Sequence, residues 1–164
     1  MPRLHETLET RLPIDDAFAY IADFANAPFW DPGVATSERL DGDVSAPVAV
    51  GTRYRLGVRI GGKVSPMEYR VTALEVPNRV VLEGAGSGVT AVDEIRFSPA
   101  ADGGTHIDYV ADIRLGGAMR LVEPLLGGTF RKLAANAIGG MRATLDQRAG
   151  AGAGAADVAA RFAL

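Results

Sequence analysis

From residue 53 to residue 115 the chain alternates apolar and polar side chains, and from about residue 129 that period of two gives way to steps of three and four. The first pattern belongs to half-buried strands and the second to an amphipathic helix. In "GTRYRLGVRIGG", Tyr54, Leu56, Val58 and Ile60 share one face, Arg53, Arg55 and Arg59 take the other, and Gly61–Gly62 signals a hairpin. "KVSPMEYRVTALEV" sets Met67, Tyr69, Val71 and Ala73 against Glu68, Arg70 and Thr72, and "PN" at 77–78 marks the next turn. "RVVLEG" and "VTAVDEIRF" read as strands joined by "GAGSG". "ADGG" at 101–104 is a turn, and "THIDYVADIRL" turns Ile107, Tyr109, Ala111, Ile113 and Leu115 inward.

In "TFRKLAANAIGGMRATLDQR", Phe130, Leu133, Ala134, Ala137, Ile138, Met141 and Leu145 form one stripe of a helix of about five turns. Gly139 and Gly140 inside it cost about 1 kcal/mol each relative to Ala, so close approach, a kink or room for a neighbour must offset them. "AMRLVEPLLGG" reads as a short helical turn interrupted at Pro124. The segment 149–164 is Ala/Gly-rich: it reads as a linker to about Ala156, followed by "DVAARFAL" with a turn or two of helix or a docking role. At the other end "RLHETLETRL" alternates as a strand, with Glu6 on the face of Leu4 and Leu8 and His5 on the other. "PIDDAFAYIADF" reads as a helix stopping near Asp23, and "FANAPFWDPGV" as an irregular joint holding the only tryptophan, Trp30, between Pro28 and Pro32.

One strand, a helical hairpin, five or six further antiparallel strands and a long helix make an α+β domain over residues 1–148, with 149–164 as a tail. A long antiparallel sheet twists, and its concave face can wrap one amphipathic helix. Such a grip leaves a cavity lined by inward strand positions and the middle of the helix. Lys plus Arg total 17 against 20 acidic residues, a net charge of −3, which offers no basic footprint for nucleic acid. Cysteine is absent, so no disulfide or thiol chemistry arises. No stretch approaches the ~20 apolar residues of a membrane span, and the N-terminus lacks the apolar run of a secretion signal. The expectation is a soluble cytoplasmic protein, monomeric or homodimeric.

The segments "RLPIDDAFAYIADFANAPFWDPGV", "GTRYRL", "MEYRVTALEVPNRVVLEG", "VTAVDEIRF", "GGTHIDYVADIRLGG" and "FRKLAANAIGGMRATL" together resemble the START-like superfamily, and within it the polyketide cyclase/dehydrase and lipid-transport (SRPBCC) proteins. The likeness runs from about residue 3 to 147. It implies a helix-grip fold, a curved sheet of six to seven antiparallel strands around the C-terminal helix, with the helical hairpin near the cavity entrance. Trp30 then stands at the rim, either as a flat wall for a ligand or as a plug fastening the hairpin to sheet and helix.

The resemblance implies an apolar or aromatic ligand, lipid- or polyketide-like, between sheet and helix. Its contacts would be Trp30, then Tyr54, Leu56 and Val58, then Met67, Tyr69 and Val71, then Ala91, Asp93 and Ile95, then Tyr109, and on the helix Phe130, Ala134, Ala137, Ile138 and Met141. Parity places Asp93 among Ala91, Ile95 and Phe97, and a carboxyl in apolar surroundings has a raised pKa. That suits acid/base chemistry near neutral pH. Two readings of Asp93 stay open: a base working with Tyr69 and Tyr109 as donors, or a structural hydrogen-bonded group. Cyclase chemistry in the family is enolisation, aldol closure and loss of water, and needs no cofactor. A third alternative is a partner-regulating domain without a small-molecule ligand. His5 and His106 lie on outward faces, too few for a metal site or a nucleophilic triad. "GAGSG" lacks the lysine and helix of a phosphate loop.

Overall fold

The structure is a computed structural model; it describes the backbone of residues 2–86 and 88–162, and the side chains of the same residues up to 152. The chain forms β1 (Arg3–Thr10), α1 (Ile14–Ala22), a 3-10 turn (Phe24–Asn26), α2 (Ala27–Trp30), β2 (Val34–Arg39), β3 (Arg53–Ile60), β4 (Lys63–Glu75), β5 (Arg79–Gly86), β6 (Val89–Pro99), β7 (Thr105–Leu115), a second 3-10 turn (Gly117–Leu121) and α3 (Glu123–Phe162). All seven strands form one antiparallel sheet in the order β1-β7-β6-β5-β4-β3-β2. β1 and β2 are therefore the two edges, and α1 and α2 carry the chain from one edge to the other. Two charged residues, Asp15 and Asp16, in the first turn of α1 face its positive end.

α3 runs along the concave side against β1 and α2. Two hydrogen bonds hold it there: the Thr10 hydroxyl donates to Asp146 (2.8 Å), and the Thr144 hydroxyl donates to the Phe29 carbonyl (3.1 Å). The Arg148 guanidinium lies 4.0 Å over the Tyr20 ring, a cation–π contact between α3 and α1. The main core fills the end of the grip nearest α1. Ile21, Phe18, Leu82, Ile95, Ile107, Met141 and Leu145 are buried there, with Phe18 and Phe97 edge to face at 5.1 Å. A smaller cluster of Met67, Val89 and Leu115 packs under Met119 of the second 3-10 turn and Leu126 and Phe130 at the start of α3.

Several expectations change. The joint before β2 is regular: Ala27–Trp30 makes a helical turn, because Pro28 sits at its start, where the missing N–H is not needed. Likewise Pro124 begins α3 rather than interrupting a turn, so the helix starts about six residues before the expected one. It also runs on through the Ala/Gly-rich segment read as a linker, up to Phe162; the side chains of "DVAARFAL", and residues 163–164 altogether, lie outside the described residues. β5 extends to Gly86, so most of "GAGSG" is strand rather than turn. A bulge between Val71 and Ala73 shifts the register of β4 against β5, so Leu74 rather than Ala73 packs on the main core.

Candidate functional site

Between the two clusters lies a cavity of about 780 Å³, bounded by the sheet, the hairpin and α3. Twelve of the sixteen expected ligand contacts line it: Trp30, Leu56, Val58, Met67, Tyr69, Ala91, Asp93, Tyr109, Phe130, Ala134, Ala137 and Ile138. The other four do not. Tyr54, Val71, Ile95 and Met141 are fully buried in the main core at the closed end of the grip. Their parity is inward as expected, but they meet other core side chains rather than open space; the Tyr54 ring, for one, lies 6.3 Å from that of Phe24 in the first 3-10 turn.

The aromatic wall comes from both sides of the grip. The hairpin supplies Phe24 and Trp30, whose rings meet edge to face at 6.1 Å. Phe24 leans on Tyr69 (5.6 Å), and Trp30 meets Tyr109 edge to face at 6.5 Å. Trp30 is thus both packed and at the cavity wall. It is 3% exposed and joined to the core, and it lines the cavity. α3 approaches its backbone so closely that a Cβ on Gly140 would overlap the Trp30 carbonyl oxygen. Gly140 therefore serves close packing, not admission of a ligand. A Cβ on Gly139 would meet nothing within 4 Å.

Asp93 on β6 is the polar centre. Its strand neighbours in register are Leu82 and Ala111, both buried and apolar. Tyr109, two residues diagonal on β7, donates its hydroxyl to Asp93 Oδ1 at 2.6 Å, while Oδ2 is buried with no partner. Burial pushes the carboxyl up to about 6; the Tyr109 hydrogen bond opposes that rise, and the nearby charge of Asp31 adds to it. Tyr69 and Tyr109 both stand well above the usual phenol value, first from burial and then from the charge of Asp93. Both therefore hold their protons at neutral pH, and Tyr109 donates its proton to Asp93.

Besides Phe24, two further participants were not among the expected site residues. Asp31, just after α2, lines the cavity; its Oδ1 accepts the Gly33 N–H at 2.7 Å, and burial raises its pKa. "DPG" signals a turn, and a turn residue has no period to say where its side chain points. Gly84 on β5 faces Tyr69 across the strand pair, and a Cβ there would lie 2.5 Å from the Tyr69 ring. The missing side chain is the seat of that ring. Glu6, expected inward but solvated, does line the cavity and pairs in register with Tyr109. Arg59 reaches the rim from the outward face of β3, with Nε donating to the Pro32 carbonyl at 3.2 Å.

The histidines stay outside. His5 contacts Asp108, and His106 Nδ1 lies 3.6 Å from Glu9. Among the described residues no group of three or more potential ligands is placed to hold a metal ion, and no helix is long and apolar enough to cross a membrane.

A seven-stranded antiparallel sheet gripping a long helix around an apolar cavity defines the START-like class. Within that class the chain belongs to the family described as polyketide cyclase / dehydrase and lipid transport, which it matches over residues 1–149. Solved structures share the fold at low identity. A START superfamily protein from Mycobacterium smegmatis is 17% identical with a TM-score of 0.67, over 90% of this chain and 96% of that one. The Zhui aromatase/cyclase from Streptomyces sp. R1128 is 14% identical with a TM-score of 0.74, over 90% and 94%. A protein from Thermus thermophilus is 15% identical with a TM-score of 0.71, over 92% and 99%. No curated protein matches the chain.

Proposed function

We propose that the protein binds a hydrophobic or aromatic small molecule, lipid- or polyketide-like, in the cavity between sheet and α3. The observation that carries this reading is the cavity itself. Its volume of about 780 Å³ is within the range of small-molecule sites, and apolar and aromatic side chains make most of its wall around a few polar groups. The reading is of a cytoplasmic protein, monomeric or homodimeric, whose net charge of −3 gives nucleic acid no basic surface.

Trp30 tests it directly, because the sole tryptophan forms part of the wall. Titration with a fatty acid, a sterol-like ring system, a flavonoid and an aromatic polyketide is expected to change its fluorescence saturably for at least one class. Ala134→Trp, placed on the α3 side of the cavity, is expected to abolish the accompanying thermal shift. No fluorescence change and no thermal shift with any class would remove the reading.

A second reading is supported by the Tyr109–Asp93 hydrogen bond: a cofactor-independent cyclase or dehydratase. With its pKa near 6, Asp93 is mostly ionised at neutral pH and still basic enough to accept a proton. In this reading Asp93 takes the acidic proton beside a substrate carbonyl, and Tyr69 or Tyr109 supplies a hydrogen bond to the oxygen as the enolate forms. The carbanion closes on a second carbonyl, whose oxygen takes the proton back from Asp93 and becomes a hydroxyl; Asp93 then removes the second proton from the same carbon and passes it to that hydroxyl, which leaves as water as the carbon–carbon double bond forms. Activity on a poly-β-keto substrate is expected to rise with pH through about 6, as Asp93 ionises. Asp93→Asn is expected to keep binding and lose turnover. Equal turnover in both proteins would exclude Asp93 as the base.

A further inference from the structure

Three leucines are exposed among the described residues, Leu121, Leu125 and Leu133, and all of them lie between the second 3-10 turn and the first half of α3. Leu121 is 84% exposed and Leu125 82%. The inner side of the same segment is occupied: Met119, Leu126 and Phe130 pack on the smaller cluster and line the cavity. The fold therefore needs the inner residues but leaves the two outward leucines without a use, and neighbouring apolar side chains left in water mark a surface that meets something. The charge around them is one-sided. Between positions 114 and 132 stand Arg114, Arg120, Arg131 and Lys132, all exposed, against one acid, Glu123, in a chain whose net charge is −3. Asp112, just before them on β7, lies beside Arg3 at 4.0 Å. None of the four cations has an ion pair or side-chain hydrogen bond among the described residues, whereas Arg53, Arg79 and Arg96 elsewhere on the surface each hold a carboxylate. Arg114 and Arg120 wall one small cleft together with Leu115 and Glu123. The turn from β3 to β4, which packs on the same smaller cluster through Ile60, adds exposed Lys63 and Val64.

We propose that this surface docks the protein on anionic lipid membranes, with Leu121 and Leu125 entering the boundary between headgroups and acyl chains and the four cations meeting lipid phosphates and carboxylates around them. Apolar tips inside a rim of separate cations are what such a boundary binds, through buried apolar area together with attraction to anionic lipid. Other occupants fit less well. A second copy of the chain would set the same four cations against their equivalents. Protein interfaces are anchored by aromatic side chains, with leucine under-represented, and no aromatic ring is exposed on this segment. A nucleic-acid backbone would use the cations and leave the leucines in water. The proposal goes beyond the ligand-binding reading and does not rest on it. Because the inner side of the segment lines the cavity, docking brings that wall of the cavity to the bilayer.

The test is co-sedimentation of the full chain with vesicles of phosphatidylcholine alone and of equal parts phosphatidylcholine and phosphatidylserine. Binding is expected on the mixed vesicles, at least about tenfold weaker on phosphatidylcholine alone, and weakened by added salt. Leu121→Ser combined with Leu125→Ser keeps every charge and, since both side chains are exposed, is expected to keep the melting temperature near wild type while cutting binding to the mixed vesicles at least about tenfold. Arg131→Gln combined with Lys132→Gln is expected to reduce the preference for the mixed vesicles. Equal binding to the two vesicles overturns the proposal. So does a leucine variant that binds like the wild type, because adsorption by charge alone needs no insertion. Absence of binding to either vesicle also overturns it; a dimer in sedimentation velocity that the leucine variant loses would then give the face to a second copy, and a monomer would leave it to an acidic protein. Should the leucine variant fail to fold, the wild-type ranking and the charge variant decide. The Trp30 titrations use no vesicles, so either reading can fail without the other.

Discussion

Asp93 shows how one buried carboxyl couples stability to pH. A carboxyl held near 6 in the folded chain, against an ordinary 3.8, binds more protons folded than unfolded between those values. Its contribution to stability is therefore fully present below about 3.8 and lost as pH rises through about 6. The interval corresponds to about 3 kcal/mol. Relative to Asp93→Asn, the wild-type protein is expected to lose about that much stability between roughly pH 3.5 and 7.5, measured by urea unfolding at a series of pH values. Parallel curves would refute this. Tyr109→Phe removes the hydrogen bond that opposes the rise, so Asp93 is expected to titrate above its wild-type value, as followed by carboxyl NMR. Gly84→Ala acts on the other phenol: with a Cβ where the Tyr69 ring sits, the ring must tilt, and ligand affinity is expected to fall several-fold while the sheet persists. Asp93 was legible in the sequence because its strand alternates strictly. Gly84 was not, since a glycine in a strand says nothing of which ring occupies its missing side chain.

At the scale of elements, the two adjacent glycines of α3 separate packing from propensity. Gly140→Ala sets a methyl against the Trp30 carbonyl oxygen, where only a backbone shift relieves the clash, so a loss of about 2 kcal/mol is expected. Gly139→Ala meets nothing and is expected to gain up to about 1 kcal/mol from helix propensity. Thermal unfolding of the two variants checks both signs, and equal shifts would mean that Gly140 is not a packing glycine. The amphipathic stripe of α3 was readable from Phe130 to Leu145 because its period holds there, with Ile138, Met141 and Leu145 buried and Leu133, though exposed, lining the cavity. Its ends were not. Pro124 and the Ala/Gly-rich run both read locally as breaks, yet proline fits a first turn and alanine favours helix once one has begun. The bulge in β4 was equally hidden: one extra residue reverses parity from Ala73 onward without any mark in the sequence.

At the scale of the molecule, the sheet order makes the cavity. Pairing of β1 with β7 leaves β1 and β2 as edges, and the hairpin that joins them closes the grip with Phe24 and Trp30. Filling the space is expected to cost binding without costing the fold: Ala134→Trp should keep the melting temperature at or near wild type while cutting probe affinity at least about tenfold. A large fall in melting temperature would mean that the space near Ala134 is needed for packing rather than open to a ligand.

The sequence by itself determined which residues face inward, because periods of 2 and 3.6 are local properties of strand and helix. It also determined that the inward set is apolar apart from a few acids and phenols. Tertiary structure alone decided which inward residues meet space and which meet one another. Tyr54 and Leu56 stand on one face of one strand and both belong to the main core, yet only Leu56 also lines the cavity. The difference arises because the sheet packs against α3 and its neighbours at the two clusters and leaves space between them. That space depends on elements far apart in the chain, and the turn that aims Asp31 into the cavity is set by the same closure.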